Sequence, residues 1–455
     1  MIFRFVSPIL LITIMSISLV AQEGAGLIYG KYNGLNASKI NPSYLLKSSN
    51  LWEVQLAGAH IYFENEYAGI YQSNMINILQ NIEGVIVSDR AYDDNINAQP
   101  LDVIFNSKNQ KTFVDLKAEV LGPGGYVNIN DKLTLGVSTK LRSFFTARDI
   151  PSSLNYYNVI DLPTDSIFEL NPFQSNAMVW SEYALHYAQQ ILPNLNIGAS
   201  LKYLNGYKAF SIDNNMGIDY VERADTLMAL DKGQTHFRYS ELEDDDIDLV
   251  GSGFGIDLGI NINNNDGSFL GISILDLGWV NMNGKDYLID YEAGQSILYP
   301  DYDFVTTIDQ QIGQMIQDGF RIDSTESYTM ILPTALSFQY QKSIDRHWSV
   351  EGHWVHRVEL GDNQIRRPNS LSFSGVYETK HFSAFLPITM YEYADVRIGA
   401  AIRIAYLTIG SDRIASFFGS HNNFNGSDFY INLKVYPFNL NYKNKEKVNC
   451  YGFKN

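Results

Sequence analysis

Residues 132–144 read "KLTLGVSTKLRSF" (Lys132 to Phe144), and this stretch decides the fold. Leu133, Leu135, Val137, Thr139 and Leu141 occupy every second position, with Lys132, Thr134, Gly136, Ser138, Lys140 and Arg142 between them. A repeat of two is the period of a β-strand, in which successive side chains point to opposite faces. One face of this strand is apolar and the other carries full positive charges. Such a strand suits a wall with hydrocarbon on one side and a polar lumen on the other.

The pattern recurs along the chain. In "NLNIGASLKYLNGY" Leu195, Ile197, Ala199, Leu201 and Tyr203 alternate with Asn196, Ser200 and Lys202; in "HWSVEGHWVHRVEL" Trp348, Val350 and Trp354 oppose Glu351, His353 and Arg357. "DVRIGAAIRIAYLTI" sets Val396, Ile398, Ile402 and Ile404 against Arg397 and Arg403, and "DFYINLKVYPF" sets Ile431, Leu433 and Val435 against Asn432 and Lys434. The runs number about 14, within a range of roughly 12 to 16. The first lies at 52–63, the second at 66–72, the thirteenth at 394–409 and the last at 427–437. The first two and "FLGISILDLGWV" (Phe269 to Val280) alternate poorly. The expected fold is all-β, an antiparallel transmembrane β-barrel with an N-terminal plug segment and long external loops.

Composition and targeting signals agree with that reading. Arg4 followed by the apolar "PILLITIMSISLVA" (Pro8 to Ala21) has the form of a secretory signal peptide, with cleavage expected after Ala21. Beyond it no run approaches the roughly 18 apolar residues of a spanning helix. Cys450 is the only cysteine, so no intramolecular disulfide forms and a large core or a closed sheet must supply stability. The formal charge of −17 argues against a nucleic-acid partner. With 30 Tyr and 25 Phe at an ordinary 45% hydrophobic content, the chain has the balance of a barrel whose lipid-facing and lumen-facing residues cancel in any average.

Connections sharpen the topology. Tight turns at "NIND" (Asn128 to Asp131), "LPNL" (Leu192 to Leu195), "NNDG" (Asn264 to Gly267) and "SIDR" (Ser343 to Arg346) alternate with long excursions. The intervals 73–111, 146–176, 207–248 and 282–326 hold 29 acids against 10 bases, whereas the segment after Phe438 carries Lys443, Lys445, Lys447 and Lys454 against Glu446. The expected organisation is a signal peptide at 1–21, a plug or hatch at 22–50, the barrel at 51–438 and a basic periplasmic tail at 439–455. An even strand count would place both termini in the periplasm, with the protein in the outer membrane among its lipid and lipopolysaccharide.

Several blocks carry a family resemblance: "INPSYL" (Ile40 to Leu45), "LGPGGYVNINDKLTLGVSTKLRSFF" (Leu121 to Phe145), "NAMVWSEYALHYAQ" (Asn176 to Gln189), "LNIGASLKYLNGY" (Leu195 to Tyr207), "GSGFGIDLG" (Gly251 to Gly259), "LPTALSF" (Leu332 to Phe338) and "ADVRIGAAIRIAYLTIGSDRI" (Ala394 to Ile414). Together they resemble a family of uncharacterised outer-membrane barrels of Bacteroidota, a domain of unknown function, along nearly the whole chain. A looser similarity is to the long-chain fatty-acid channel superfamily, which implies 14 strands and a lumen plugged by the N-terminal segment. The Asn-Pro-Ala signature of that superfamily is matched by Asn41, Pro42 and Ser43, the last departing from Ala.

The inward positions predicted by alternation are Lys117, Lys140, Arg142, Glu182, Lys202, Asp257, Glu351, Arg357, Arg397, Arg403 and Lys434, with Asp115, Glu119, His186 and His353 among them. Both signs occur, so mutual pairing is the commoner explanation, and a solute-selecting polar pathway is the sharper one. The acidic run "ELEDDDID" (Glu241 to Asp248) lacks the glycine and spacing of a calcium loop and reads as a solvated loop. The glycines of "GSGFGIDLG" alternate with Phe254, Ile256 and Leu258, and bare the wall for curvature or for close approach of a plug rather than cradling a phosphate. "VTTIDQQIGQMIQDGF" (Val305 to Phe320) spaces Ile308, Ile312, Met315 and Ile316 as a short amphipathic helix. HExxH, GxSxG and CxxC patterns are absent from the sequence. The reading is therefore a non-enzyme without cofactor or metal: a plugged channel for small, hydrophobic solutes, or alternatively a binding or scaffold barrel that engages a periplasmic protein partner.

Overall fold

The computed structural model describes residues 23–88, 97–106, 111–151, 167–168, 173–214, 221–224, 227–230, 233–240, 248–264, 266–292, 296–298, 315–317, 319–393, 395–419 and 423–437. The signal segment 1–21, the tail 439–455, residues 241–247 of the acidic run and most of the expected helix at 305–320 lie outside these residues. Of that last segment, 315–317 are helical.

Seventeen hydrogen-bonded segments close into one sheet, and because three staves are each interrupted once they make 14 staves. In chain order these are β1 (Trp52–Asn65), β2 (Lys111–Asn130), β3 (Leu133–Pro151), β4 (Phe173–Leu192), β5 (Leu195–Asn214), β6 (Gly233–Tyr239 and Gly251–Asn263), β7 (Ser268–Tyr291), β8 (Arg321–Ile331 and Ala335–Ser343), β9 (Trp348–Arg357), β10 (Ser370–Glu378), β11 (Phe382–Tyr391), β12 (Asp395–Ile398 and Ala400–Ile404), β13 (Leu407–Ser411) and β14 (Gly426–Val435). Each stave pairs antiparallel with the next, and β1 closes the barrel on β14 with Val54 opposite Val435. Closure leaves no unpaired edge, the condition for β-structure in lipid.

Two expectations about individual strands are corrected. The run 66–72 is not a stave: Ala68–Ile70 leaves the wall and pairs with Asp102–Phe105 in a small separate sheet. The run 394–409 is two staves, because Ala405, with φ of 50°, and Tyr406 form a tight turn between Ile404 and Leu407. The errors cancel in the count. Long excursions also end with the connection that leads into β8, since β9 to β14 are joined at the same end by only 358–369, 392–394 and 412–425.

Alternating burial runs round the wall. Leu185, Phe254, Ile274, Phe373, Leu386 and Ile402 are exposed while their sequence neighbours are buried. An apolar belt on every stave is the surface of a protein dissolved in lipid rather than water. Exposed Trp52 and Trp348 lie toward the short-turn end, and Trp279 and Trp354 toward the long-loop end. Strands of about 9 to 11 residues span a bilayer; β9, β10, β11 and β14 have 10, 9, 10 and 10 residues, whereas β2 to β5 have 19 or 20 and extend past it on the long-loop side. Among the described residues no helix is long and apolar enough to cross a membrane.

The poor alternation of "FLGISILDLGWV" has a local cause. Leu258 faces Ile274 and Ile256 faces Leu277, so Leu275 and Asp276 together oppose one residue of β6. Asp276, within the bulge, takes the left-handed conformation, with φ of 50°. Outward residues run Leu270, Ile272, Ile274 before the bulge and Leu277, Trp279 after it, and Leu275 and Asp276 are both buried.

Candidate functional site: the charged interior and the segment it holds

A carboxylate or guanidinium taken out of water is tolerated only when paired and hydrogen-bonded. The inner face of this barrel meets that requirement with a closed circuit of six side chains. Asp276 Oδ1 meets Arg142 at 3.0 Å, and Arg142 Nε meets Glu119 at 3.1 Å. Glu119 lies 3.7 Å from Lys117, which lies 3.8 Å from Glu23. Glu23 binds Arg367 at 2.7 Å, and Arg367 returns to Asp276 at 3.2 Å. Lys202 joins the circuit at Asp276 (2.7 Å) and holds Asp257 (2.7 Å), while Glu182 pairs with Lys140 (2.9 Å) and Arg142 (3.4 Å). The Asp276 bulge is what brings these together: it turns the carboxylate inward, and its own N–H donates to Asp257 at 2.6 Å.

Glu23 is the member contributed from outside the wall. Burial favours its neutral form, yet Arg367 and Lys117 beside it hold the carboxyl down at about 2. Lys39, from the same N-terminal segment, meets Glu119 at 3.1 Å; burial outweighs that attraction and lowers its pKa to about 8. On the long-loop side of the circuit the interior becomes apolar, with Phe144, Met178, Trp180, Leu204, Met282 and Met330 in one buried cluster. The Arg142 guanidinium lies 4.8 Å from the Phe144 ring and 4.9 Å from that of Trp180, a cation–π contact at the boundary of the two zones.

The remaining residues singled out by alternation lie in two further groups. Toward the short-turn end Glu351 accepts the Gly30 N–H (3.2 Å) and Gln341 Nε2 (2.8 Å), and Lys434 pairs with Glu53 (3.1 Å) and donates to the Tyr32 carbonyl. Arg403 is wholly buried with no acid partner among the described residues; it donates to Ser383 Oγ (3.1 Å), the carbonyls of Thr379 (2.9 Å) and Lys380 (3.1 Å) and Tyr436 Oη (2.8 Å), with the Tyr32 ring 4.9 Å away. Toward the long-loop end Arg397 meets Glu64 and Asp395, each at 2.8 Å. Arg357 is less enclosed than the others, and binds Glu392 (2.7 Å) and Glu359 (3.0 Å) near the rim. Asp115 binds Arg148, and His353 Nδ1 hydrogen-bonds the Tyr29 hydroxyl at 2.7 Å. His186 bridges Ser138 and Ser200, both at 2.8 Å. Glu23, Lys39, Asp276 and Arg367 were not legible: two belong to the N-terminal segment, one to a loop and one to the bulge.

Asn41, Pro42 and Ser43 sit against a bare patch of wall. A Cβ on Gly198 would lie 2.2 Å from the Ser43 nitrogen, one on Gly259 2.1 Å from Asn41 Oδ1, and one on Gly271 3.0 Å from Asn41 Nδ2. Glycines on β5, β6 and β7 thus let the segment approach to backbone contact. Asn41 Nδ2 donates to the Ile260 carbonyl (3.0 Å) and to Gln339 Oε1 (2.9 Å). The Ser43 hydroxyl donates to Asn41 Oδ1 (2.6 Å) and accepts from Asn261 Nδ2 (2.6 Å), so the residue that departs from the Asn-Pro-Ala signature has a partner suited to it. Further along the segment, Asp412 accepts the Ala25 N–H at 3.0 Å, and burial beside Asp428 raises its pKa.

The profile of a family of unknown function, DUF5723, matches residues 56–412. The chain belongs to that family. A comparison with curated proteins finds no match. Among solved structures this DUF5723 protein is similar to a Pseudomonas aeruginosa FadL homologue, at 14% identity over 93% of this chain and 99% of that one, with a TM-score of 0.46. It is also similar to the Ralstonia pickettii toluene transporter TbuX (8% identity, 93% and 99% covered, TM-score 0.44) and the Pseudomonas putida toluene transporter TodX (10%, 92% and 98%, TM-score 0.43).

Proposed function

We propose that this DUF5723 protein is an outer-membrane channel whose lumen is plugged by residues 22–50, passing small and predominantly apolar solutes. The observation that carries the reading is the contact pattern of the N-terminal segment: its described residues bond to β2, β6, β8, β9, β10 and β14 as well as to the 358–369 connection. A barrel of about 14 strands is wider than wall side chains alone can fill, so something must occupy it. Here the occupant is a separate stretch of chain, covalently joined to the wall only at the start of β1. The apolar cluster beyond the ion circuit gives a solute of low polarity a surface to rest on, and the basic tail would then lie in the periplasm.

Deleting residues 23–50 should leave a heat-modifiable barrel in detergent gels and raise conductance across planar bilayers well above that of the full chain. Conductance unchanged by the deletion would reject the channel. The second reading, a binding or scaffold barrel, is favoured by how completely the ion pairs consume the interior. It predicts that unchanged conductance together with a periplasmic protein that co-purifies with the full chain.

A further inference from the structure

Closure removes a sheet edge only where two staves run side by side, and the staves of this barrel end at different heights. β9 stops at Arg357, opposite Ala335, whereas β8 continues past that level from Ile331 to Arg321 with β7 as its only partner strand among the described residues. Ile331 faces Trp279 at the long-loop margin of the apolar belt, so Arg321 to Met330 stand beyond the lipid. Arg321 and the five residues from Asp323 to Ser327 are all exposed, on both faces of the strand.

The direction of the free peptide groups follows from one rung. Ile331 turns its own groups away from β7: its N–H donates to the Asn363 carbonyl at 3.2 Å, and its carbonyl accepts the Ile365 N–H at 3.0 Å, a parallel bridge to the 358–369 connection. Successive peptide groups of a strand alternate in direction, so those of Thr329, Ser327, Thr325, Asp323 and Arg321 point the same way. The bulge opposite this stretch adds its extra residue to β7 and leaves the phase of β8 unbroken. In agreement, the Thr329 carbonyl accepts Asn363 Nδ2. The Ser327 carbonyl takes the Thr325 hydroxyl at 3.0 Å. Beyond Ile331 no backbone partner lies on that side among the described residues, because the connection turns off at Gly361, whose carbonyl accepts the Gln364 N–H at 3.3 Å.

Unpaired peptide groups in a strand are a template for another strand. Donors and acceptors repeating at strand spacing are matched along their length by a second polypeptide backbone, and the Asn363–Ile365 rung is the first step of such a pairing. Side chains narrow the partner. Thr325, Ser327 and Thr329 offer a row of hydroxyls, which pair across strands with Thr, Ser or other β-branched residues. Glu326 and Arg321 are matched on β7 by Lys285 (2.8 Å) and Asp290 (3.6 Å), whereas Asp323 has no ionic partner among the described residues.

We propose that Arg321–Thr329 is a docking edge for an extended segment of a partner polypeptide, which adds to the wall as a further strand carrying β-branched or hydroxyl residues and a basic residue opposite Asp323. The edge stands at the long-loop end outside the lumen, so this goes beyond the channel reading and does not depend on conduction.

The probe is the capped peptide Lys-Thr-Val-Thr-Val-Thr-Lys, and amide exchange of the full chain in detergent, resolved to single residues, is the readout. In the protein alone the N–H groups of Asp323, Thr325 and Ser327 should exchange at least about tenfold faster than those of Ser324 and Glu326, which point at β7. Peptide at about 1 mM should slow the three fast amides at least about threefold, and the same peptide with its central three residues replaced by proline should not. Thr325→Pro removes only an outward donor, a change that an edge strand tolerates, and should abolish the slowing at Asp323 and Ser327; Thr325→Val keeps the donor and should retain it. Asp323→Lys serves if the proline variant loses its heat-modifiable migration: it should lose the slowing by the lysine-capped peptide and gain it with glutamate at both ends. Slow exchange of the three outward amides in the protein alone would overturn the proposal, since this chain or a second copy would then already cover the edge. So would no slowing by the peptide, equal slowing by its proline form, or a folded Thr325→Pro or Asp323→Lys that responds like the parent. None of these outcomes bears on flux, so the channel reading stands or falls separately.

Discussion

Single atoms decide whether residues 23–50 stay docked. Gly259 has no side chain where Asn41 Oδ1 would lie 2.1 Å from a Cβ and Pro42 Cδ 3.0 Å, both on a stretch fixed by side-chain hydrogen bonds of Asn41, Ser43 and Asn261. Gly259→Val should therefore push the Asn41–Ser43 turn off the wall at a cost of about 1–3 kcal/mol, the range for overpacking a filled site. Its outward neighbours Leu258 and Ile260 are untouched, so the barrel itself should persist. Trypsin reports the difference: Lys31, Lys39 and Lys47 should become cleavable in the folded variant while barrel fragments stay intact. Gly375→Ala, where nothing lies within 4 Å of the added Cβ, is the matched control and should behave like the parent. Protection of all three lysines in both variants would show that the glycine cradle is not what seats the segment.

At the scale of elements, periodicity exposed most of the wall because a two-residue repeat survives wherever one face is apolar. It failed where geometry inserts a residue. The Leu275–Asp276 bulge shifts the phase of β7 by one, and the Ala405–Tyr406 turn hides inside an apolar run that reads as one strand. Nor can any strand's own sequence state its partners, so Lys202 was readable as inward while its bonds to Asp257 and Asp276 depend on register. Docking of the N-terminal element inherits a pH dependence from the groups it brings. Glu23 is held near 2 against an ordinary 4.5, so its contribution of about 3 kcal/mol is complete above pH 4.5 and is lost as the pH falls from there toward 2. Lys39 acts in the opposite sense: its charged form is disfavoured when docked, and docking strengthens as the pH rises from 8 through 10.5. Hydrogen exchange of residues 23–50, corrected for intrinsic rates, should rise on the acid side, and Glu23→Gln should flatten that acid limb while leaving the alkaline one. An acid limb unaltered in the variant would assign it to other carboxylates.

For the whole molecule, the ordering of phases is inverted relative to a water-soluble domain: polar groups are gathered inside and the largest exposed surface is hydrocarbon. Stability must then depend on depth in the bilayer and not on fractional exposure. Leu258 is 44% exposed and lies midway along the outward row of β6 from Phe254 to Ile262, whereas Ser252, exposed on the same face, lies nearer the long loops. In water an arginine at either exposed position would be nearly neutral. In a membrane Leu258→Arg should cost about 2–4 kcal/mol and Ser252→Arg about 0–1, because the penalty for charge falls from the midplane to the interface. Urea unfolding of the two variants in phospholipid vesicles gives both values on one scale. Equal and small losses would mean that this face does not meet lipid, and a barrel that does not meet lipid can be neither a channel nor a membrane scaffold. A large loss at Leu258 alone would fix the depth of the belt and, with it, which staves carry the long-loop mouth beyond the bilayer: β2 to β5 extend past the belt while β9 to β14 end near it. That asymmetry is what leaves Arg321–Met330 of β8 standing beyond the end of β9 at Arg357.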